Sequence, residues 1–190
     1  MEVNILLTGV GGQGILTSSM ILARAAMNSG RNVITAETHG MAQRGGSVEV
    51  HVRIGDVLSP LIPYGGADYV VSLELSEVLR YAVYYGEKTK AIVNTGKIVP
   101  PSVSRGEAKY PDVEEVKDAL SWLEVHFVNA SEIAEKAGNV QATNVAILGS
   151  FCKVSGVFTL EELERAVKDV LPEKLHEVNL KALRMGYNAI

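Results

Sequence analysis

The chain has 190 residues, enough for one α/β domain and cramped for two. Its hydrophobic fraction of 47% supplies a sizeable core and excludes a disordered polypeptide. A formal net charge of −4 without a basic cluster argues against general nucleic-acid binding, and no apolar run reaches membrane-spanning length.

The N-terminus enters a strand almost at once, with no basic region, apolar core and cleavage site, so a cytoplasmic location is expected. The apolar run Ile5-Leu6-Leu7-Thr8 is short enough for a buried strand. Gly9-Val10-Gly11-Gly12-Gln13-Gly14 follows, and then Ile15, Leu22 and Ala26 recur at helical spacing up to a stop at Gly30. Strand, glycine turn and helix form the context of a phosphate-binding loop. Small residues let the backbone approach a phosphate, and the N–H groups and dipole at the helix start favour an anion. Gly9, Gly11 and Gly14 carry the G-x-G-x-x-G spacing. The same glycines also suit a tight turn with close helix–sheet packing.

Asn32 to Glu37 reads as a second strand, a parallel partner for the first through a right-handed crossover. In dinucleotide-binding folds an acidic residue about 20 positions on contacts the ribose, and Glu37 stands there. The loop Thr38-His39-Gly40-Met41-Ala42-Gln43-Arg44-Gly45-Gly46 is rich in donors and glycine, and reads as a site loop around the Arg44 guanidinium. Ser47 to Ile54 alternates Val48, Val50, Val52 and Ile54 against Glu49, His51 and Arg53, which predicts a half-buried strand with a wet or interface face. Gly55-Asp56 is a turn signal for a hairpin through Val57 and Leu58.

Beyond a loop-rich stretch ending at Gly66, strands and helices alternate again. Tyr69–Leu73 reads as a strand, Leu75–Tyr85 as a helix ended by Gly86, and Ala91–Asn94 as a strand. Tyr81, Tyr84 and Tyr85 read as core or interface packing. Pro100 to Pro111 is loop-like, Val113–Leu120 a short helix and Val125–Val128 the last strand. Ser131 is the predicted cap of a helix over Glu132–Ala137. Asn144–Val154 reads as a buried helix, Thr159-Leu160-Glu161-Glu162 as a capping box opening a helix to Val170, and Pro172 as the start of a final helix to Tyr187. Cys152 is the only cysteine, so it makes no intrachain disulfide and cannot hold an iron–sulfur cluster. In its apolar surroundings it reads as a small buried hydrophobe.

Taken together, the glycine loop, the Glu37-to-Gly46 loop with its Gln43-Arg44-Gly45-Gly46 run, and the segment around Asn144 and Gly149 resemble the gamma-type subunits of 2-oxoacid:ferredoxin oxidoreductases, above all the indolepyruvate branch. The resemblance covers nearly the whole chain. It implies a single Rossmann-like α/β domain over residues 1–190, with a mostly parallel sheet, an added half-buried strand or hairpin around 47–58, and C-terminal helices. It also implies a complex in which an arylpyruvate and coenzyme A yield an acyl-CoA and carbon dioxide, with electrons passing to ferredoxin. Thiamine diphosphate and [4Fe-4S] clusters supply the electronic chemistry in that family.

This chain shows no Gly-Asp-Gly with a distant paired Asn for thiamine diphosphate and magnesium, and no cluster-ligand set. It is therefore expected to be the small partner of a larger subunit that holds both cofactors. Gly9, Gly11, Gly12, Gln13, Gly14, Glu37, Thr38, His39, Gln43, Arg44, Gly45 and Gly46 are the expected binding residues, with coenzyme A as ligand or a dinucleotide as the alternative. No metal ligand and no catalytic residue is assigned. The polar face of Ser47–Ile54 and the loop 38–46 are the expected contact with the larger subunit. Two other readings stay open: an NAD-dependent dehydrogenase using Gly9, Gly11, Gly14 and Glu37, and a purely structural Rossmann-like partner.

Overall fold

Strand β1 (Val3–Val10) carries apolar side chains on both faces, and a strand of that kind must be covered on both sides. The computed structural model describes residues 2–39, 46–97 and 109–190. After β1 come α1 (Ile15–Asn28), β2 (Val33–His39), β3 (Ser47–Ile54), β4 (Ala67–Ser72), α2 (Glu77–Arg80), a 3-10 turn (Ala82–Tyr84) and β5 (Tyr85–Asn94). Then follow α3 (Val113–Ala119), β6 (Glu124–Val128), α4 (Ala130–Ala137), α5 (Thr143–Ser155), α6 (Leu160–Val170) and α7 (His176–Tyr187).

Among the described residues six strands form one sheet in the order β2-β3-β1-β4-β5-β6. Pairings β1–β4, β4–β5 and β5–β6 are parallel, whereas β3 runs antiparallel to both of its neighbours. This is the mostly parallel α/β sheet expected. The parallel pairing of β2 with β1 is not: β3 lies between them, antiparallel to both. β2 keeps the direction of β1, so its carboxyl end still reaches the same sheet edge.

The two faces of the sheet carry separate cores. Ile5, Leu7, Val71 and Ile92 pack under α1 and the C-terminal helices with Leu22, Phe151, Leu163 and Leu183. Leu6, Val70, Ala91 and Val93 point the other way, against Ile62, Leu75, Val78, Tyr85, Val116 and Leu120. Alternation along the strands produces this division.

The polar face of β3 is corrected by the structure. Glu49, His51 and Arg53 are buried, His51 completely. Residues 56–66 form a strap across His51 and Arg53. The Ile62 N–H donates to His51 Nδ1 at 3.2 Å, and Arg53 Nη1 donates to the Ser59 and Leu61 carbonyls at 2.8 and 3.2 Å. No strand follows Gly55, so the hairpin through Leu58 is absent, and the Gly55 N–H instead donates to Asn32 O at 2.8 Å.

The expected helix over 75–85 is only the short α2 and the 3-10 turn, and Gly86 lies inside β5. Tyr85 is buried, its hydroxyl donating to Val78 O at 2.5 Å, as the packing reading required. α4 is capped by Asn129, whose side chain accepts from the Glu132 N–H, and Ser131 lies within the helix. The capping box expected at Thr159 is present, Thr159 and Glu162 capping each other reciprocally, whereas Pro172 opens only a 3-10 turn (Glu173–Leu175) and the final helix α7 begins after it, at His176.

Candidate functional site

In parallel sheets, ligands sit outside the carboxyl ends of the strands. At that edge lies a cleft of about 630 Å³, lined by the glycine loop, the end of β5 and the starts of α4 and α5. Its lining includes Gly12, Gln13, Gly14 and Thr17 from the glycine loop and α1, and Asn94, Gly96, Lys97 and Ser131 from the end of β5 and the start of α4.

Local sequence explains the loop. Gly14, at the start of α1, has φ 79°, and a Cβ there would come within 2.8 Å of Asn144 Nδ2, so this position requires glycine. α1 has no side-chain cap, so its first-turn N–H groups remain available at the cleft. α5 also starts there without a side-chain cap. Two helix dipoles thus present their positive ends to one space.

Three amide side chains hold this edge together. Gln13 Oε1 accepts from the Val10 N–H at 2.9 Å, while Nε2 donates to Leu73 O at 3.1 Å and to the buried Glu74 carboxylate at 3.4 Å. Asn94 Nδ2 donates to the same Leu73 carbonyl at 3.1 Å and to Ser131 Oγ at 3.2 Å. Its Oδ1 accepts from the Ala130 and Gly96 N–H groups at 3.0 and 3.2 Å. Asn144 Nδ2 donates to Gly14 O at 3.1 Å. Leu73 O thereby ties Gln13, just past β1, and Asn94, at the end of β5, to the end of β4, beside the backbone bond from the Leu73 N–H to Thr8 O at 2.8 Å.

The remaining charges are few. Lys97 lines the cleft with its ammonium 5.5 Å from the Tyr110 ring centroid, and Glu135 is the carboxylate on the lining. The Tyr110 hydroxyl donates to Glu74, and burial followed by that carboxylate pushes its pKa well above the ordinary phenol range. Cys152 is buried in α5, donates to Phe158 O at 3.2 Å, and is pushed up to about 11, first by burial. A buried, protonated thiol of this kind fits no cluster. No group of three or more His, Cys, Asp or Glu residues among the described residues could hold a metal ion.

The structure brings together only part of the expected set. Gly12, Gln13 and Gly14 line the cleft. Gly9 pairs with Val48 in the β1–β3 ladder, and the Gly11 N–H donates to Gly46 O at 2.9 Å, so the two glycine-rich loops do meet. Gln13 braces the loop and has both amide hydrogens directed at protein acceptors. Glu37, Thr38 and His39 belong to β2, opposite Val50, Glu49 and Val48, one strand away from β1. Glu37 therefore lacks the adjacency to β1 on which a ribose contact depends, which removes the main support for a dinucleotide. Gln43, Arg44 and Gly45 lie outside the described residues.

Sequence reasoning passed over Asn94 and Lys97. The available signal was a strand ending in Asn with Thr95-Gly96 behind it, at the sheet edge where parallel folds place ligands.

Comparison with known proteins agrees with this architecture. Residues 4–189 match the pyruvate ferredoxin/flavodoxin oxidoreductase family. The chain is 58% identical to the indolepyruvate oxidoreductase subunit IorB of Archaeoglobus fulgidus, over 99% of this chain and 95% of that one. It is 42% identical to the subunit of the same name from Methanothermobacter thermautotrophicus, over 100% and 98% of the two chains. Among solved structures, the keto/oxoacid ferredoxin oxidoreductase gamma subunit of Geobacter sulfurreducens superposes with a TM-score of 0.74 at 25% identity, covering 98% of this chain and 97% of that one.

Proposed function

Because the chain belongs to the pyruvate ferredoxin/flavodoxin oxidoreductase family, we propose that it is the small, cluster-free subunit of an indolepyruvate or related arylpyruvate:ferredoxin oxidoreductase. The observation that carries this reading is the end-to-end similarity to indolepyruvate oxidoreductase subunits. The complex converts a 2-oxoacid and coenzyme A to an acyl-CoA and carbon dioxide, and ferredoxin accepts the electrons. Thiamine diphosphate and [4Fe-4S] clusters, when bound by the larger subunit, supply the carbanion and redox chemistry. Residues of this chain fit neither cofactor: its one cysteine is buried, and the cleft offers a single carboxylate. The chain acts as one domain, and its setting is the cytoplasm.

What the cleft does fit is an anion. The Gly12 and Gly14 N–H groups, the Thr17 hydroxyl and the Lys97 ammonium are a donor set for a phosphate group of coenzyme A. Arg44 supplies a second cation from the loop that ends at Gly46. The amide braces of Gln13, Asn94 and Asn144 keep the donors in place before the ligand arrives, which lowers the ordering cost of binding.

The test uses the assembled complex. Lys97→Ala and Arg44→Ala are each expected to raise the apparent coenzyme A constant about ten- to a hundredfold, the value of a charge-assisted contact of roughly 1.5–3 kcal/mol. The 2-oxoacid constant should change far less. Unchanged coenzyme A dependence in both variants would remove the anion-site reading. Loss of assembly with Arg44→Ala would make its loop an interface element.

A further inference from the structure

The strap over β3 is built inside out. Beneath it lie the buried His51 and Arg53, and on its outer surface stand large apolar side chains. Leu58 is 102% exposed and Tyr64 75%, with Leu61 about half exposed. Val83, also about half exposed, joins them from the 3-10 turn, since the Gly65 N–H donates to Val83 O at 3.0 Å. The Tyr64 ring sits 5.5 Å edge-on from Tyr84, which itself packs edge-on against His51 at 5.0 Å.

This surface is fixed from below. Arg53 spans Asn4 Oδ1 at 2.8 Å and two strap carbonyls, Asn4 Nδ2 donates to Gly66 O at 3.0 Å, and Ile62 is buried in the core. Holding it there leaves His51 Nε2 buried with no hydrogen-bond partner. An orphaned buried donor is costly, and so is a buried guanidinium. The fold accepts both costs and gains no apolar burial for Leu58 or Tyr64. The strap and the adjoining 3-10 turn together expose two Leu, a Tyr and a Val, apolar surface of order several hundred Å², the scale that marks interaction sites on soluble chains. That is a large share of the roughly 800 Å² which a stable interface takes from each partner.

We propose that the Leu58–Tyr64 strap with Val83 is the docking surface for the larger subunit of the complex, through an apolar groove on that subunit. The proposal rests on the subunit assignment above. It commits to the larger subunit for a reason of size as well as composition. The chain superposes on 2-oxoglutarate:ferredoxin oxidoreductase of Magnetococcus marinus over 99% of its own length but only 31% of that longer chain. In that protein the rest of the polypeptide is covalently tied to this fold. A separate chain must hold its counterpart by a permanent interface, and permanent interfaces are the apolar ones. The strap, rather than the β3 side chains beneath it, is the part of this face that a partner can touch.

The experiment compares the wild-type chain with Leu58→Glu/Tyr64→Glu for binding to the purified larger subunit, by native mass spectrometry and titration. Both side chains are exposed, so circular dichroism and the melting temperature of the free variant should match wild type. The variant should bind about 30-fold more weakly or worse, as buried interface anchors do, and Tyr64→Phe should retain wild-type affinity. A wild-type complex that tolerates the double substitution overturns the surface and leaves the subunit assignment standing. No complex with the wild-type chain overturns both. Self-association of the free chain that the double substitution abolishes overturns the choice of partner, because the patch is then a contact between copies.

Discussion

Helices α5 and α7 cross with two glycines at the contact, and Gly186→Ala tests how closely their backbones must approach. A Cβ at Gly186 would fall 1.8 Å from the Ala146 carbonyl oxygen, far inside the 3.0 Å that real side chains respect. The obstacle is backbone, so it yields only if the helices part by about an ångström. The Ser150 hydroxyl donates to Gly186 O at 2.7 Å across this crossing and would be stretched. Against this, alanine is the better helix former by about 1 kcal/mol. Overpacking costs typically 1–3 kcal/mol and the strained hydrogen bond about 1 more, so the steric terms win. Net destabilisation of roughly 2 kcal/mol is expected, a fall of about 4–8 °C in melting temperature for a chain of this size. Urea unfolding of Gly186→Ala beside wild type measures it. Gly149→Ala meets Leu183 O at 2.0 Å in the same crossing, so the double variant should lose less than the sum. A Gly186→Ala protein as stable as wild type, or more stable, would refute the packing argument.

Two further expectations concern buried polar groups. Asn94→Ala leaves the buried Ala130 N–H without its acceptor and frees the end of β5, so roughly 2–4 kcal/mol of stability should be lost in a denaturant titration; a loss under about 0.5 kcal/mol would show that the edge holds without this amide. For His51, burial and then the Arg53 guanidinium lower the pKa below the ordinary 6.5, so below that pH the unfolded chain takes up a proton that the folded chain refuses. Stability therefore falls as pH drops from 6.5 toward the depressed folded value. Glu49, raised by burial, acts in the opposite sense. Comparing wild type with His51→Asn, which keeps an acceptor for the Ile62 N–H, isolates the histidine: the wild type should lose stability relative to the variant between pH 7 and 5, and parallel curves would contradict the assignment.

How far the chain could be read beforehand follows from the range of each interaction. β1, the glycine turn and α1 were legible because strand burial, positive φ and helix periodicity are set by neighbours in sequence. The capping box at Thr159 and the burial of Cys152 were legible for the same reason. The position of β2 was not, since the apolar pattern of a strand is the same whether it pairs beside β1 or beside β3. Alternation in β3 identified the strand correctly and misplaced its polar face, because alternation records side-chain polarity and says nothing of the strap that covers it. At the cleft, Gly12 to Gly14 announced themselves, but Asn94, Lys97 and Asn144 reach it from distant segments. Only the sheet order brings them together.

The most direct test of the central claim is reconstitution. The larger subunit, prepared without this chain, is titrated with it while indolepyruvate- and coenzyme A-dependent ferredoxin reduction is followed. Activity is expected to rise to a plateau at a fixed stoichiometry, and the chain alone to reduce no ferredoxin. Full activity of the larger subunit without this chain, or activity of this chain by itself, would contradict the claim.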